Sequence, residues 1–308
     1  MRALTIDRSD PSGLRLADAP DPVPTSGQAL IRVQAISLNP AEFRYVLPGA
    51  PDGAVIGWDA AGVVERAAAD GTGPAVGTPV TTLGLSGAWA ELRAVDTGLI
   101  GTVPTTADPG AMSTLPVAAG TALRALRELG PILGRRILVT GASGAVGRFA
   151  VQLGRRAGAH VIAVARDPAA AVELRDLGAA EVVTDPAEVT APVRGAVDLV
   201  GDTWLPSAFA ALGEGGTLVT AGAAASAAAA FDPGALLADP LRHTRSIVTF
   251  FLMGGDGIDT DLTWLAGELA AGRLRTRIAW RGDWADATPA VAAVRDSRLP
   301  GKAVLDLT

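Results

Sequence analysis

The clearest chemistry in the sequence lies between Ile137 and Gly147, where Ile137, Leu138, Val139 and Thr140 run into glycines at 141, 144 and 147 and then into a helical pattern. A strand that ends in a tight turn and opens a helix gathers free backbone N–H groups at the positive end of the helix dipole. That combination suits a pyrophosphate. Ala142, Ser143, Gly144, Ala145, Val146 and Gly147 match G-x-G-x-x-G with alanine in the first place, and a second strand, HVIAVA, follows at the distance of a βαβ unit. Gly144 is expected to let the backbone approach the phosphates, and Gly147 to let the helix pack closely. Thr140, Ala142, Ser143, Gly144, Ala145 and Val146 are therefore candidate cofactor contacts. The competing reading is a glycine-rich turn in an unrelated parallel sheet.

At the end of that second strand a carboxylate would serve a free ribose 2′-hydroxyl, and a cation would serve a 2′-phosphate. The chain has Ala165 and then Arg166, with Asp167 next. A guanidinium there can hold a 2′-phosphate through charge-assisted hydrogen bonds, which points to NADPH. Asp167 offers the opposite reading, a ribose ligand, and Arg166 is then a solvated loop residue.

Other chemistries are removed by what the chain lacks. It has no cysteine, so a disulfide framework, a thiolate nucleophile and cysteine-ligated zinc are excluded. The two histidines, His160 and His243, are too few for a zinc alcohol dehydrogenase site, and both read as structural. A Tyr-x-x-x-Lys pair is also missing, because the single tyrosine, Tyr45, is followed four places on by Gly49.

The elements that must position this chemistry divide the 308 residues into three stretches. Residues 1–117 read as short strands separated by Gly, Pro, Asp and Ser clusters, with almost no helical periodicity. Residues 118–245 alternate strands with helices, as in an α/β doubly wound parallel sheet. Residues 246–308 return to mixed character, opening on the strand SIVTFFLM and closing on KAVLDL. A net charge of −6 without a basic cluster argues against a nucleic-acid partner. The charged N-terminal segment is unlike a signal peptide, and the alanine-rich run near 221–231 is shorter than the about 20 residues a membrane span requires. A cytoplasmic enzyme is expected.

Seven landmarks then stand in order: SLNPAEFR (37–44), IGWDAAGVVE (56–65), GAWAEL (87–92), LPVAAGTALRAL (115–126), VTGASGAVG (139–147), LGA (177–179) and GKAVL (301–305). Along nearly its whole length the chain resembles the zinc-independent branch of the medium-chain dehydrogenase/reductase superfamily, the quinone oxidoreductase and enoyl reductase group. The resemblance implies a groES-like β-rich catalytic domain, built from both ends of the chain, with a Rossmann domain inserted. It also implies NADPH and a homodimer joined through the nucleotide domain, with SIVTFFLM near the sheet edge.

Residue by residue, the resemblance places Asn39 beside nicotinamide and substrate, Thr121 near the nicotinamide end, and Gly222 under the nicotinamide ribose. Phe250 and Phe251 fall in the segment whose backbone approaches the carboxamide, and Arg298 reaches back from the C-terminal segment. Departures are equally specific. Glu42 stands where the family usually has Asp, Trp58 where the zinc branch has its histidine, and Trp204-Leu205 where a Gly-Gly pair is usual. The proton-donor tyrosine of some enoyl reductases has no counterpart in register.

The reaction expected is hydride transfer to the β-carbon of an α,β-unsaturated carbonyl, or to a quinone, without metal. Such chemistry asks the protein for orientation and oxyanion hydrogen bonds. The Asn39 amide and Tyr45 hydroxyl are the catalytic candidates, with Thr121, although Asn39 before Pro40 also suits a plain turn and Tyr45 a pocket wall. Phe43, Trp58 and Trp89 are candidates for a pocket lining that takes a hydrophobic small-molecule enone or quinone, against the ordinary reading of aromatics as core. A biosynthetic reductive cyclase, a non-catalytic NADPH-binding protein and a dehydrogenase holding metal through carboxylates are the rival readings.

Overall fold

The computed structural model describes residues 1–225, 228–237, 240, 242–296 and 298–307. The chain divides into two compact units, one formed by Met1–Gly120 with Gly255–Thr308 and the other by Thr121–Gly254. This is the mixed α/β architecture expected, a doubly wound parallel sheet inserted in a β-rich domain.

The first unit is built on strands β1 (Arg2–Ile6), β2 (Leu14–Asp18), β3 (Gln28–Leu38), β4 (Asp59–Arg66), β5 (Pro79–Leu83), β6 (Leu92–Asp96), β7 (Ile100–Thr102), β14 (Ile278–Asp283) and β15 (Lys302–Asp306). β1 and β2 pair with each other, and the rest form a sheet in the order β14-β15-β3-β4-β5-β7, with β6 also on β3. The last strand thus lies antiparallel to β3, with Ala303 opposite Leu38 and Leu305 opposite Ile36. That pairing carries the C-terminal lysine of GKAVL to the end of β3. One face packs Leu4, Ile36, Leu38, Phe43, Trp89, Trp284 and Val291 into a core. Burial of side chains this large stabilises the unit by about 1.5–3 kcal/mol each. Helix α1 (Pro109–Ser113) starts on the Asp108 carboxylate, which accepts from the N–H groups of Gly110 and Ala111, with proline at the first helical position. Helix α2 (Leu115–Glu128) follows, and α6 (Ile258–Ala270) and α7 (Ala287–Arg295) belong to the C-terminal part.

The second unit holds β8 (Arg136–Val139), α3 (Ala145–Arg156), β9 (His160–Val164), α4 (Ala171–Asp176), β10 (Glu181–Val183), β11 (Val193–Asp198), α5 (Trp204–Ala210), β12 (Leu212–Thr220) and β13 (Ser246–Thr249). All six strands are parallel, in the order β10-β9-β8-β11-β12-β13. Strand order reverses beside β8, which is where open α/β sheets bind ligands at their carboxyl edge. Ile137, Leu138, Val139, Val161, Ile162, Ala163 and Val197 are fully buried, as required of strands covered on both faces.

The C-terminal boundary of the second unit differs from the sequence reading. The division falls after Gly254 and not at residue 245, because β13 pairs with β12 and completes the parallel sheet. Within this unit α5 stops at Ala210, and β12 already starts at Leu212. Gly213, Gly215 and Gly216 lower the helix propensity of that stretch.

Candidate functional site

In the second unit the glycine turn has the geometry an anion needs. Gly144 precedes α3 with extended backbone and no side chain caps the helix, so its first N–H groups face outward without a capping partner. Gly141 adopts φ +60°, and a Cβ on Gly147 would lie 2.3 Å from the Gly141 carbonyl oxygen and 2.6 Å from the Ala142 Cα. Only glycine lets α3 start this close to the turn. The Ala142 N–H is already bonded to the Val164 carbonyl at 2.9 Å, and Ala142 is fully buried. Its N–H thereby fixes the turn against β9. Ser143, Gly144, Ala145 and Val146 remain as the turn and first helical residues.

Thr140 is engaged in the same way. It is fully buried, its hydroxyl donates to Asp198 Oδ1 at 2.5 Å, and it accepts from the Leu199 N–H at 2.9 Å. Asp198 also takes the Gly201 N–H at 2.9 Å. Burial pushes the Asp198 carboxyl up, opposed by these hydrogen bonds. The Thr140–Asp198 brace ties the ends of β8 and β11 together on either side of the strand-order reversal. Sequence reasoning passed over Asp198; an acid at the end of the apolar run that forms β11 was the available signal.

Arg166 is exposed at the end of β9, and its guanidinium carbon lies 5.6 Å from the centre of the Trp204 ring. Asp167 turns into its own loop, where Oδ1 accepts from the Ala169 N–H at 2.9 Å. The carboxylate is thereby engaged as a helical cap, while the guanidinium has no carboxylate partner among the described residues.

The first unit gathers a different set. β3 ends at Asn39-Pro40-Ala41-Glu42, a helix start with proline in the first turn and glutamate at the capping-box position. Glu42 Oε2 accepts from the Asn39 N–H at 2.6 Å, and Oε1 from the Trp58 N–H at 2.7 Å. One wide turn follows over Glu42–Val46, closed by the Leu47 N–H on the Glu42 carbonyl at 2.8 Å. Glu42 is fully buried, and its pKa is pushed up to about 8 by burial first and by Asp59 second. Lys302 and the two N–H donors act in the opposite direction.

Asp59 is the hub. Its Oδ2 receives Lys302 Nζ and Asn39 Nδ2, each at 2.9 Å, and lies 2.9 Å from the Ser37 hydroxyl. Its Oδ1 receives the Val117 N–H at 2.8 Å, placing negative charge at the start of α2. Lys302 also donates to Asn39 Oδ1 at 2.7 Å, so the orientation of that amide is fixed. Arg93, 2% exposed, donates to the Thr82 hydroxyl and the Ser86 carbonyl, and burial lowers its pKa to about 10. Asp59, Lys302, Ser37 and Arg93 were missed as chemistry, although IGWDAAGVVE and GKAVL contain two of them.

Two family models match the chain, "Alcohol dehydrogenase GroES-like domain" over residues 25–107 and "Zinc-binding dehydrogenase" over residues 145–267, together more than half of its length. The chain belongs to the medium-chain dehydrogenase/reductase superfamily. As a member it is an oxidoreductase of a pyridine-nucleotide-dependent family. Erythronolide synthase EryA2 of Saccharopolyspora erythraea is 37% identical over 154 residues, which are 50% of this chain and 4% of that synthase. This chain therefore matches only a small part of that relative. A mycobacterial quinone oxidoreductase is 25% identical with a TM-score of 0.86, covering 99% of each chain. A mycobacterial protein complexed with NADPH is 25% identical with a TM-score of 0.84, covering 99% of this chain and 100% of that one.

The remaining candidates fall as follows. Asn39 is 5% exposed, with both ends of its amide engaged, so at most the second Nδ2 hydrogen remains for a substrate oxygen. Tyr45 is 62% exposed and lies under the Arg44 guanidinium. Trp89 is fully buried, packed 5.6 Å from Phe43, and a Cβ on Gly57 would strike its indole at 2.2 Å. Phe43 and Trp89 are therefore core and not pocket lining, because the two rings fill the space beside β1 and β3; Trp58 is half-buried. Thr121 is buried on α2, Gly222 is exposed just beyond β12, and Phe250 and Phe251 follow β13. Arg298 is exposed and paired with Asp296 at 2.8 Å.

Proposed function

We propose that this oxidoreductase uses NADPH to reduce a hydrophobic α,β-unsaturated carbonyl compound or quinone, without a catalytic metal. The observation that carries the reading is the carboxyl edge of the parallel sheet: an α3 terminus without a side-chain cap over Gly147, an Arg166 with no carboxylate partner among the described residues, and an Asp167 already engaged in its own turn. The α3 N–H groups suit a pyrophosphate, and Arg166 suits a 2′-phosphate. Bound there, the nicotinamide supplies the hydride. The similarity to a quinone oxidoreductase and to a protein complexed with NADPH supports substrate class and cofactor alike.

The chain's own part is orientation and charge. Lys302 and Asp59 hold the Asn39 amide in one attitude, and Glu42 pins the backbone on both sides of it. Among the described residues no cluster of three or more His, Asp or Glu side chains could hold a metal ion, and the Lys302 ammonium already sits on Asp59. His160 is paired with Glu181 at 2.6 Å. That donor set supports chemistry without a metal.

The test is NADPH oxidation with a panel of enones and quinones on protein treated with a strong chelator. Turnover that survives chelation is expected. Loss of turnover with recovery on adding zinc contradicts the metal-free reading, and tight NADPH binding without oxidation across the panel favours a binding protein. A homodimer belongs to the same proposal. β13 pairs on one side with β12, and Ile247 and Phe251 are 41% and 63% exposed, an edge suited to a second copy. Sedimentation should give a dimer that Ile247→Lys dissociates; a monomeric wild-type protein contradicts it.

A further inference from the structure

Arg166 does not stand alone at the end of β9. In the sheet order, β9 and β11 lie on opposite sides of β8, so the residues following them flank the glycine turn. Arg166 follows β9, and Trp204 opens α5 after β11. Their side chains meet, with the guanidinium carbon 5.6 Å from the indole centre, within the range of a cation–π contact. Trp204 is itself buried, being 8% exposed and packed with Val200, Ala208 and Phe209 in the core of this unit. A packed aromatic face therefore underlies a cation that has no carboxylate partner among the described residues.

A planar guanidinium laid on an indole keeps its N–H edge free, and that edge is what binds a phosphate in two places at once. An unsupported arginine must instead surrender side-chain freedom when the ligand arrives. We propose that Trp204 is a specificity-positioning residue: its indole face holds Arg166 in the attitude that receives a 2′-phosphate, and so sets the preference for NADPH over NADH. This rests on the assignment of Arg166 to the 2′-phosphate.

The test compares dissociation constants for NADPH and NADH, and for adenosine 2′,5′-bisphosphate and adenosine 5′-monophosphate, in the wild type, Arg166→Ala, Trp204→Leu and Trp204→Phe. Trp204→Leu should lower the 2′-phosphate preference by roughly threefold or more, with NADH affinity unchanged, while Trp204→Phe, which keeps an aromatic face, retains most of it. If Arg166→Ala abolishes the preference and Trp204→Leu leaves it at the wild-type value, Trp204 has no positioning role although Arg166 keeps its own. If Arg166→Ala also leaves it unchanged, the 2′-phosphate assignment fails first. Equal losses for NADPH and NADH in Trp204→Leu reduce Trp204 to core packing and overturn the proposal. Should the leucine variant not fold, a crystal structure of the wild type with adenosine 2′,5′-bisphosphate decides: the guanidinium is expected on the indole face while touching the 2′-phosphate, and a guanidinium off the ring contradicts the proposal.

Discussion

Two strand ends carry the polar chemistry of this chain, and they treat it in opposite ways. β8 ends in a glycine turn whose helix begins without a side-chain cap, beside an arginine that has no carboxylate among the described residues. β3 leads into Asn39-Pro40-Ala41-Glu42, where Glu42 accepts the Asn39 backbone N–H, and the Asn39 amide, the Asp59 carboxylate and the Lys302 ammonium are bonded to one another. Open donors at the first place leave room for an anionic ligand, which can replace the water that otherwise satisfies a solvent-facing helix terminus. Closed pairs at the second hold a shape. The first region therefore reads as the receiver of a cofactor, and the second as the frame for whatever group meets it.

The contrast can be broken most forcibly at Lys302. Its side chain is 3% exposed against an Asp59 that is fully buried, so Lys302→Met leaves a buried carboxylate uncompensated and should cost about 3–5 kcal/mol in urea unfolding. A loss below about 1 kcal/mol would show that the network is not closed. Next comes Gly147→Ala, whose Cβ must push the α3 start off the turn. Overpacking of this kind costs about 1–3 kcal/mol, and dinucleotide binding should fall at least about tenfold because the donors move with the helix. Unaltered binding in a folded variant would separate the turn from the ligand.

Glu42 gives the pH-dependent version. Its pKa is raised in the folded protein to about 8 from an ordinary 4.5, so the folded state holds a proton that the unfolded chain releases earlier. The stability this group allows is fully present below about pH 4.5 and is lost as pH rises toward and through 8. Glu42→Gln cannot ionise, yet it points an NH2 group at one backbone N–H, so it should be less stable than wild type at pH 5. Its deficit should narrow or reverse by pH 8.5. A constant deficit across that range, followed by thermal unfolding, would contradict the buried protonated glutamate.

What the sequence discloses follows the same division. The glycine turn is local: three glycines within seven residues, a strand before and a helix after, and the backbone conformations of Gly141 and Gly147 are written in residue type alone. The Asn39–Asp59–Lys302 cluster is not local, because Lys302 lies 263 residues from the asparagine it fixes and reaches it only through the β15–β3 pairing. Aromatic residues were ambiguous for a related reason. Trp89 and Phe43 have the composition of a pocket wall, but whether a ring faces a ligand or another ring depends on tertiary packing. Arg166 was legible as a cation at a strand end, whereas its indole support required the order of the strands.

The most direct measurement is a pair of binding titrations, NADPH and NADH, on wild type and Arg166→Ala. The account predicts that the wild type binds NADPH the more tightly, at least about tenfold, through charge-assisted hydrogen bonds to the 2′-phosphate, and that the variant loses this margin while its NADH affinity stays the same. Equal affinities in the wild type, or a margin that survives in Arg166→Ala, would contradict it.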